Sequence, residues 1–256
     1  MKVKPSSNAF QLYNTYYDLL YQDKDYLKEG QYVYSLIREF SPGARSIVEL
    51  GSGTGNYSAV FSDLGFKVTG IEKSQPMIDV ANAKGIRDFH SLQGDIAEFN
   101  VEENFDIATS LFHVISYLTE NQQVLSCFRQ VSKHLNAGGL FIFDVWYTPA
   151  VYSQVPETRY KAVENEEVHI TRIARPKINF DANTVDLEYR LILQHKSNNA
   201  YEAMEEFHCM RHFSTPEIKM FAELAGLTLL RSEEFLTAKQ PGSNTWGVCY
   251  ILQKNA

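Results

Sequence analysis

Residues suited to chemistry gather at a few places in this 256-residue chain. The first is Val48-Glu49-Leu50-Gly51-Ser52-Gly53-Thr54-Gly55-Asn56. Glycines at alternate positions let the backbone approach a ligand closely, because they lack a Cβ and tolerate positive φ. A dinucleotide fingerprint wants Gly-x-Gly-x-x-Gly; counted from Gly51 its last position is Asn56, and the third glycine arrives one residue early at Gly55. Pyrophosphate binding is thereby disfavoured. Glu72, in Gly70-Ile71-Glu72-Lys73-Ser74, and Asp95, in Gly94-Asp95-Ile96, are acceptor-only groups, each able to receive two O–H or N–H donors. His113, Tyr117 and Asp144 could orient an acceptor molecule or take a proton, and Trp146 stands two residues beyond Asp144. His208, Cys209 and His212 invite a metal reading, but the segment reads as a strand, where His208 and His212 stand too far apart for one ion. No metal is expected.

The elements that must hold these residues follow from the hydrophobic pattern. Two helices precede the first strand, the second over Leu27–Phe40 before a Ser41-Pro42-Gly43 stop. Tyr13, Tyr17 and Tyr21 recur at i, i+4, i+8, which suits either a packed helix face or a binding face. From Ser46 to Phe143 short apolar runs alternate with helical patterns: Ser46–Leu50, a helix from Asn56, Lys67–Ile71, a helix from Pro76, Phe89–Gln93, Phe105–Leu111, a helix from Asn121, and Leu140–Phe143. Strands alternating with helices predict βαβ units and a parallel sheet. The glycine run and both carboxylates then fall at strand ends, where such sheets bind ligands. Between Trp146 and Phe213 the extended segments Val168–Ile173, Val185–His195 and Glu202–His212, separated by polar turns, predict an antiparallel insertion. A capped helix from Ser214 to Gly226 and strands at Leu227–Leu230 and Trp246–Leu252 complete the sheet.

Composition removes several function classes. The formal charge of −7, from 31 acidic against 24 basic residues, argues against affinity built on phosphate neutralisation, so nucleic acid is not expected as a partner. Cys127, Cys209 and Cys249 are far apart and in no CxxC spacing, which predicts neither a disulfide framework nor a zinc knuckle and fits a reducing cytoplasm. The N-terminal residues show no signal peptide, and no long apolar run predicts a membrane span.

The spacing Glu-x-Gly-x-Gly-x-Gly resembles motif I of the class I S-adenosylmethionine-dependent methyltransferases, and matches in order follow across residues 46–145. The resemblance implies a doubly wound, mostly parallel seven-stranded α/β sheet and S-adenosyl-L-methionine as cofactor. It places Glu72 on the ribose hydroxyls, Asp95 on the adenine amino group, and Ser110-Leu111-Phe112-His113 beside the methionine part. Tyr17, Glu49, Gly51, Ser52, Gly53, Gly55, Lys73, Met77, Gly94, Ile96, Leu111 and Phe112 join Glu72 and Asp95 in the implied cofactor set. The flanks, Tyr13-Asn14-Thr15-Tyr16-Tyr17 and Val145-Trp146-Tyr147 among them, look like the bacterial deoxysugar N-methyltransferases. This likeness implies a helical lid over residues 1–43, a cofactor core over 44–145, a β insertion over the active site at 146–212 and a closing segment at 213–256. It also implies substrate contacts from Tyr13, Tyr21, His113, Tyr117, Trp146 and His208, with Tyr117, His113 and Asp144 as catalytic candidates. Where those enzymes tend to carry a histidine in the loop after the fourth strand, this chain aligns Tyr117.

Methyl transfer to nitrogen or oxygen of a small molecule is therefore the expected function, an amino sugar being one acceptor, in a monomer or a homodimer. The alternatives are a noncatalytic cofactor-binding module and a nucleic-acid methyltransferase. The latter is opposed by the charge and by Ser110-Leu111-Phe112-His113 standing where an Asn/Asp-Pro-Pro-aromatic motif would be.

Overall fold

The computed structural model describes residues 3–5 and 13–255, with side chains from residue 16 to residue 255. In chain order the elements are β1 (Val3–Pro5), α1 (Tyr13–Leu20), α2 (Tyr26–Phe40), β2 (Ser46–Leu50), α3 (Asn56–Asp63), β3 (Lys67–Glu72), α4 (Gln75–Ala83), β4 (Phe89–Gln93), β5 (Phe105–Ser110), α5 (Asn121–His134), β6 (Leu135–Trp146), α6 (Thr148–Gln154), β7 (Arg159–Glu164), β8 (Val168–Asn179), β9 (Thr184–His195), β10 (Tyr201–Arg211), α7 (Thr215–Leu224), β11 (Leu227–Glu234) and β12 (Gly247–Lys254). They form two compact units, Asp25–Ser153 with His212–Ala256, and Met1–Lys24 with Gln154–Arg211.

The first unit is a seven-stranded sheet in the order β11-β12-β6-β5-β2-β3-β4. The pairs from β6 to β4 are parallel, and β12 runs antiparallel to both of its neighbours. Its central strands β2, β5 and β6 are mostly buried because both faces are covered, whereas the edge strands β4 and β11 are half exposed. Successive residues serve opposite faces. Val48, Ala108, Phe141, Phe143 and Tyr250 join one core with Phe128 of α5 and Phe221 of α7, while Ile47, Ile107, Ile142 and Ile251 join the other with Ile37 of α2 and Phe61 of α3. Phe128 contacts Phe141, Phe143 and Phe221 in tilted and edge-on geometry, so truncating it to alanine would cost about 3–5 kcal/mol. Helix starts are set locally. Asp25 accepts from the Lys28 amide at α2, the Ser74 side chain accepts from Met77 at α4, and capping boxes of Glu120 with Gln123 and Ser214 with Glu217 open α5 and α7. The strand order reverses at β2, with β3 on one side and β5 on the other. The crevice beyond the carboxyl ends of β2 and β5 is the switch point at which such sheets bind ligands.

The second unit is a five-stranded sheet in the order β1-β10-β9-β8-β7, with long antiparallel pairs from β10 to β7. Leu20 of α1 packs with Ile170, Leu191, Leu193 and Met204 in its core. The polar turn predicted between β8 and β9 forms, with the Asn179 side chain accepting from the Asp181 and Ala182 amides and Asn183 at φ 53°.

The structure departs from the sequence reading at identifiable points. The segment expected as one helical lid divides: α2 buries Val33, Leu36 and Ile37 within the α/β unit, whereas α1 belongs to the antiparallel one. The insertion begins at Gln154 rather than Trp146, because β6 extends to Trp146, paired with Gly247. Strands β1 and β7 and the short helix α6 were not expected. Each is brief, and Arg159–Glu164 alternates poorly between apolar and polar residues.

Candidate active site

The glycine run forms the turn from β2 into α3. Gly51, Gly53 and Gly55 all have positive φ, of 71°, 54° and 78°, and Gly55 is the N-cap residue of α3. The three are constrained differently. A Cβ on Gly51 would stand 2.5 Å from Val114 Cγ1 and one on Gly55 2.9 Å from Ile86 Cδ1, while one on Gly53 would meet only Met77 Sδ, at 3.9 Å. Gly51 and Gly55 are therefore closed by packing, and Gly53 faces space. Ser52 is buried, and its Oγ has no hydrogen-bond partner among the described residues. The Ser52 side chain packs against Gly70 of β3, where a Cβ would stand 2.5 Å from its Oγ, so it closes the loop onto the neighbouring strand while Gly53 stays open.

Glu72, at the end of β3, accepts the Gly53 amide on Oε2 at 2.9 Å and the Ser74 amide on Oε1 at 2.8 Å. Burial raises its pKa, against the opposing pull of the Ser74 and Gly53 amides. Each oxygen keeps a further lone pair, so the carboxylate retains capacity for two hydroxyl donors. Glu49, one strand away, is 2% exposed and accepts from the Ser58 hydroxyl on α3. Burial pushes its carboxyl up to about 8, helped by the nearby charge of Glu72. Asp95 follows β4 and Gly94. It accepts from the Ala97 amide at 2.9 Å and pairs with Lys73 Nζ at 2.9 Å. Burial pulls its pKa up, but the Ala97 and Lys73 contacts outweigh this and hold it below the ordinary carboxylate value. Lys73 and Asp95, read from sequence as separate contacts, thus meet each other; the pair is exposed and contributes little to stability. Met77 is buried on α4, and Ile96 packs against the core as a half-buried side chain.

Beyond β5 the chain makes an unusual turn. Leu111 is buried, and Phe112 and His113 both adopt positive φ, of 65° and 62°. For side chains with a Cβ this region costs about 1–2 kcal/mol per residue, so something must hold it. Asp144, buried at the end of β6, does so. Its Oδ1 accepts the Phe112 amide at 2.7 Å and the His113 amide at 3.4 Å, while Oδ2 lies 2.7 Å from His113 Nδ1. The imidazole stands edge-on to Trp146, with centroids 6.0 Å apart, and Trp146 in turn meets Trp246. Val114 opens a short 3₁₀ turn that ends at Tyr117, which is partly exposed. Since Val114 is the side chain against Gly51, this turn and the glycine loop pack directly together.

The α/β unit thus brings together Glu49, Gly51, Ser52, Gly53, Gly55, Glu72, Lys73, Met77, Gly94, Asp95 and Ile96 on one side of its switch point, with Leu111, Phe112, His113, Tyr117, Asp144 and Trp146 on the other. Tyr17, Tyr21 and His208 belong to the antiparallel unit. Tyr17 and Tyr21 pack on its core with ring centroids 4.9 Å apart, as the packed helix face in the sequence allowed, and Arg172 lies over the Tyr21 and Tyr189 rings. His208 is buried in β10, 3.4 Å from Glu206 and edge-on to Tyr189. Tyr13 opens α1, and its side chain lies outside the described residues. No group of three metal-ligating side chains forms among the described residues. Sequence reasoning missed Ser58, Val114 and Trp246. Ser58 and Val114 had no motif signal, since each acts through a contact that exists only once the turn is folded; a Trp next to Gly247 on the strand pairing with β6 could have been noticed.

Residues 47–139 match the family model described as "Methyltransferase domain". A dTDP-3-amino-3,4,6-trideoxy-alpha-D-glucopyranose N,N-dimethyltransferase of Streptomyces venezuelae is 28% identical over 54% of this chain and 58% of its own length. A dTDP-3-amino-3,6-dideoxy-alpha-D-glucopyranose N,N-dimethyltransferase of Streptomyces fradiae is 24% identical over 83% of this chain and 82% of its own. Among solved structures, a sugar N-methyltransferase from Streptoalloteichus superposes with a TM-score of 0.83 at 20% identity, covering 100% of this chain and 97% of that one. An amino pentose methyltransferase from Micromonospora echinaspora, solved with S-adenosylmethionine bound, gives 0.77 at 20% identity over 98% and 99%. At these identities the superpositions speak for the fold.

Proposed function

We propose, from the premise that this chain is an S-adenosylmethionine-dependent methyltransferase whose methyltransferase domain occupies residues 47–139, that it methylates the amine nitrogen of a small molecule of the amino-sugar class. The cofactor supplies a methyl carbon activated by positive sulfur. The chain's own residues therefore have to bind, orient and keep the accepting nitrogen unprotonated and free of water.

The observation that carries the cofactor assignment is Glu72, whose two oxygens each spend one lone pair on a loop amide and keep one for a ribose hydroxyl. Open Gly53 fits the same ligand. Asp95, beside Gly94 and Ile96, takes the adenine amino group. Gly51 and Gly55 shape the loop, and Met77, Leu111 and Phe112 line it with apolar surface. Glu49 sets the methionine end through its link to Ser58. On the acceptor side, Tyr117 and Trp146 orient the substrate.

The nitrogen acceptor is supported by the relatives, whose names specify N-methylation of amino-deoxysugar nucleotides. The three cysteines form no disulfide, which suits the cytoplasm. Among the described residues no helix is long and apolar enough to cross a membrane.

Calorimetry with S-adenosylmethionine, S-adenosylhomocysteine and NAD tests the cofactor. Micromolar binding of the first two is expected, and response to NAD alone would overturn the assignment. Mass spectrometry after incubation with S-adenosylmethionine and dTDP-3-amino-3,6-dideoxyglucose tests the acceptor. A gain of one or two methyl groups supports the amino-sugar class; no gain on this sugar or on other amino-sugar nucleotides refutes it.

A further inference from the structure

Asp144 does more than hold a turn. We infer that it locks His113 in the tautomer protonated on Nδ1, so that Nε2 is the proton acceptor for the incoming ammonium group; this rests on the nitrogen-acceptor reading above. Asp144 Oδ2 lies 2.7 Å from Nδ1, off the line of a hydrogen bond, and a negative oxygen that close favours the ring form that presents a positive N–H to it rather than a lone pair. Asp144 is itself held on several sides. It lies at the end of a central strand, buried, with Oδ1 receiving the two backbone amides of the turn that carries the imidazole. One carboxylate therefore fixes both the backbone of His113 and its ring. The histidine side chain is 23% exposed, against 3% for Asp144, so the ring's outer edge is the accessible part of the pair.

The placement suits the reaction. His113 immediately precedes Val114, which packs on Gly51 of the glycine loop, and the ring sits between Trp146 and Gly247 at the carboxyl edge of the sheet. A small-molecule amine at neutral pH is largely an ammonium ion with no lone pair to offer. In the proposed step its N–H bond breaks, the electron pair stays on the amine nitrogen, and the proton forms a new bond to His113 Nε2. The imidazolium so formed lies against the Asp144 carboxylate, 2.7 Å away, and the proton later passes to water. Two groups thus have separate jobs: His113 accepts the proton, and Asp144 is a positioning residue. The two successive positive-φ residues fit this division, since backbone strain persists at functional turns that their surroundings over-determine.

Long-range ¹H–¹⁵N correlation spectra of the ¹⁵N-histidine-labelled protein test the tautomer without any acceptor present. With neutral imidazole, the parent should show His113 protonated on Nδ1 and bare on Nε2. Asp144→Asn keeps an oxygen for the Phe112 amide but turns an NH₂ toward the ring, and should shift the proton to Nε2. A parent ring protonated on Nε2 overturns the inference. Kinetics on a methylated amino sugar supply the second arm: His113→Gln and Asp144→Asn should each lower kcat about a hundredfold, with KM and S-adenosylhomocysteine affinity changed less than about threefold. A kcat loss under about threefold in His113→Gln also overturns it. If the parent methylates no amine, the nitrogen-acceptor reading falls and the base role falls with it, while the spectra still decide the tautomer.

Discussion

Replacing Glu49 by glutamine should flatten the dependence of stability on pH between about 4.5 and 8. The carboxyl of Glu49 is 2% exposed on a central strand, and burial raises it from the ordinary 4.5 to about 8, the Ser58 hydroxyl pulling the other way and the Glu72 charge adding to the rise. In the unfolded chain this group loses its proton near 4.5; in the folded protein it keeps it to about 8. Between those values the folded state binds more protons, so stability is fully present below the lower value and is lost as pH rises through the upper one. The full loss corresponds to about 5 kcal/mol at about 1.36 kcal/mol per pKa unit, or roughly 10–20 °C in melting temperature for a chain of this size. Glutamine is neutral at every pH, has nearly the same shape, and still offers an oxygen to Ser58. Thermal melts of parent and Glu49→Gln across mildly acidic to mildly alkaline pH should therefore diverge, the variant gaining on the parent as pH rises. Parallel curves would show that Glu49 titrates as an ordinary surface carboxyl and that the reasoning from its burial is wrong.

Glu72→Ala should weaken S-adenosylhomocysteine binding by about 2–3 kcal/mol in calorimetry, since it removes the proposed acceptor of the ribose hydroxyls and releases the Gly53 amide. Asp95→Ala should cost less, and equal affinity of the Glu72 variant and the parent would misplace the ribose site. Gly51→Ala puts a Cβ 2.5 Å from Val114 at a φ of 71° and should destabilise the fold by about 2–4 kcal/mol; an unchanged melting temperature would contradict the packing of the loop on the 3₁₀ turn. Tyr117→Phe should lower kcat/KM roughly tenfold, the loss of one neutral hydrogen bond. A loss beyond roughly a thousandfold with intact cofactor affinity would make Tyr117 an acid–base group instead.

What was legible in the sequence was whatever depends on local pattern. The strand at Ser46–Leu50, the helix from Asn56, the Ser214 cap and strands β9 and β10 formed where periodicity and capping residues placed them, while β8 starts at the expected Val168 and runs on past Ile173 to Asn179. The glycine loop and Glu72 were legible because spacing alone brings them to adjacent strand ends. The grouping of elements into units was not, since it depends on which apolar face α1 and α2 each bury against. The role of Asp144 was only half legible. Its position at a strand end was visible, but its hold on two backbone amides depends on a pair of positive-φ residues, Phe112 and His113, that carry no glycine to announce them.

The chain leaves the α/β unit and returns to it through a narrow neck. Tyr147 bridges Phe213, the Thr148 amide donates to Phe213 O at 2.9 Å, and the Phe213 amide donates to Trp146 O at the same distance. The two ends of the excursion are thus stitched together by the sheet that carries the cofactor loop, whatever lies between them. Because closing a loop costs only about 0.6 kcal/mol more for each doubling of its length, the intervening segment can lengthen, shorten or be exchanged at small thermodynamic cost to that sheet. The sheet's hold on the two ends of the excursion, at Thr148 and Phe213, thus does not depend on the length of what they enclose.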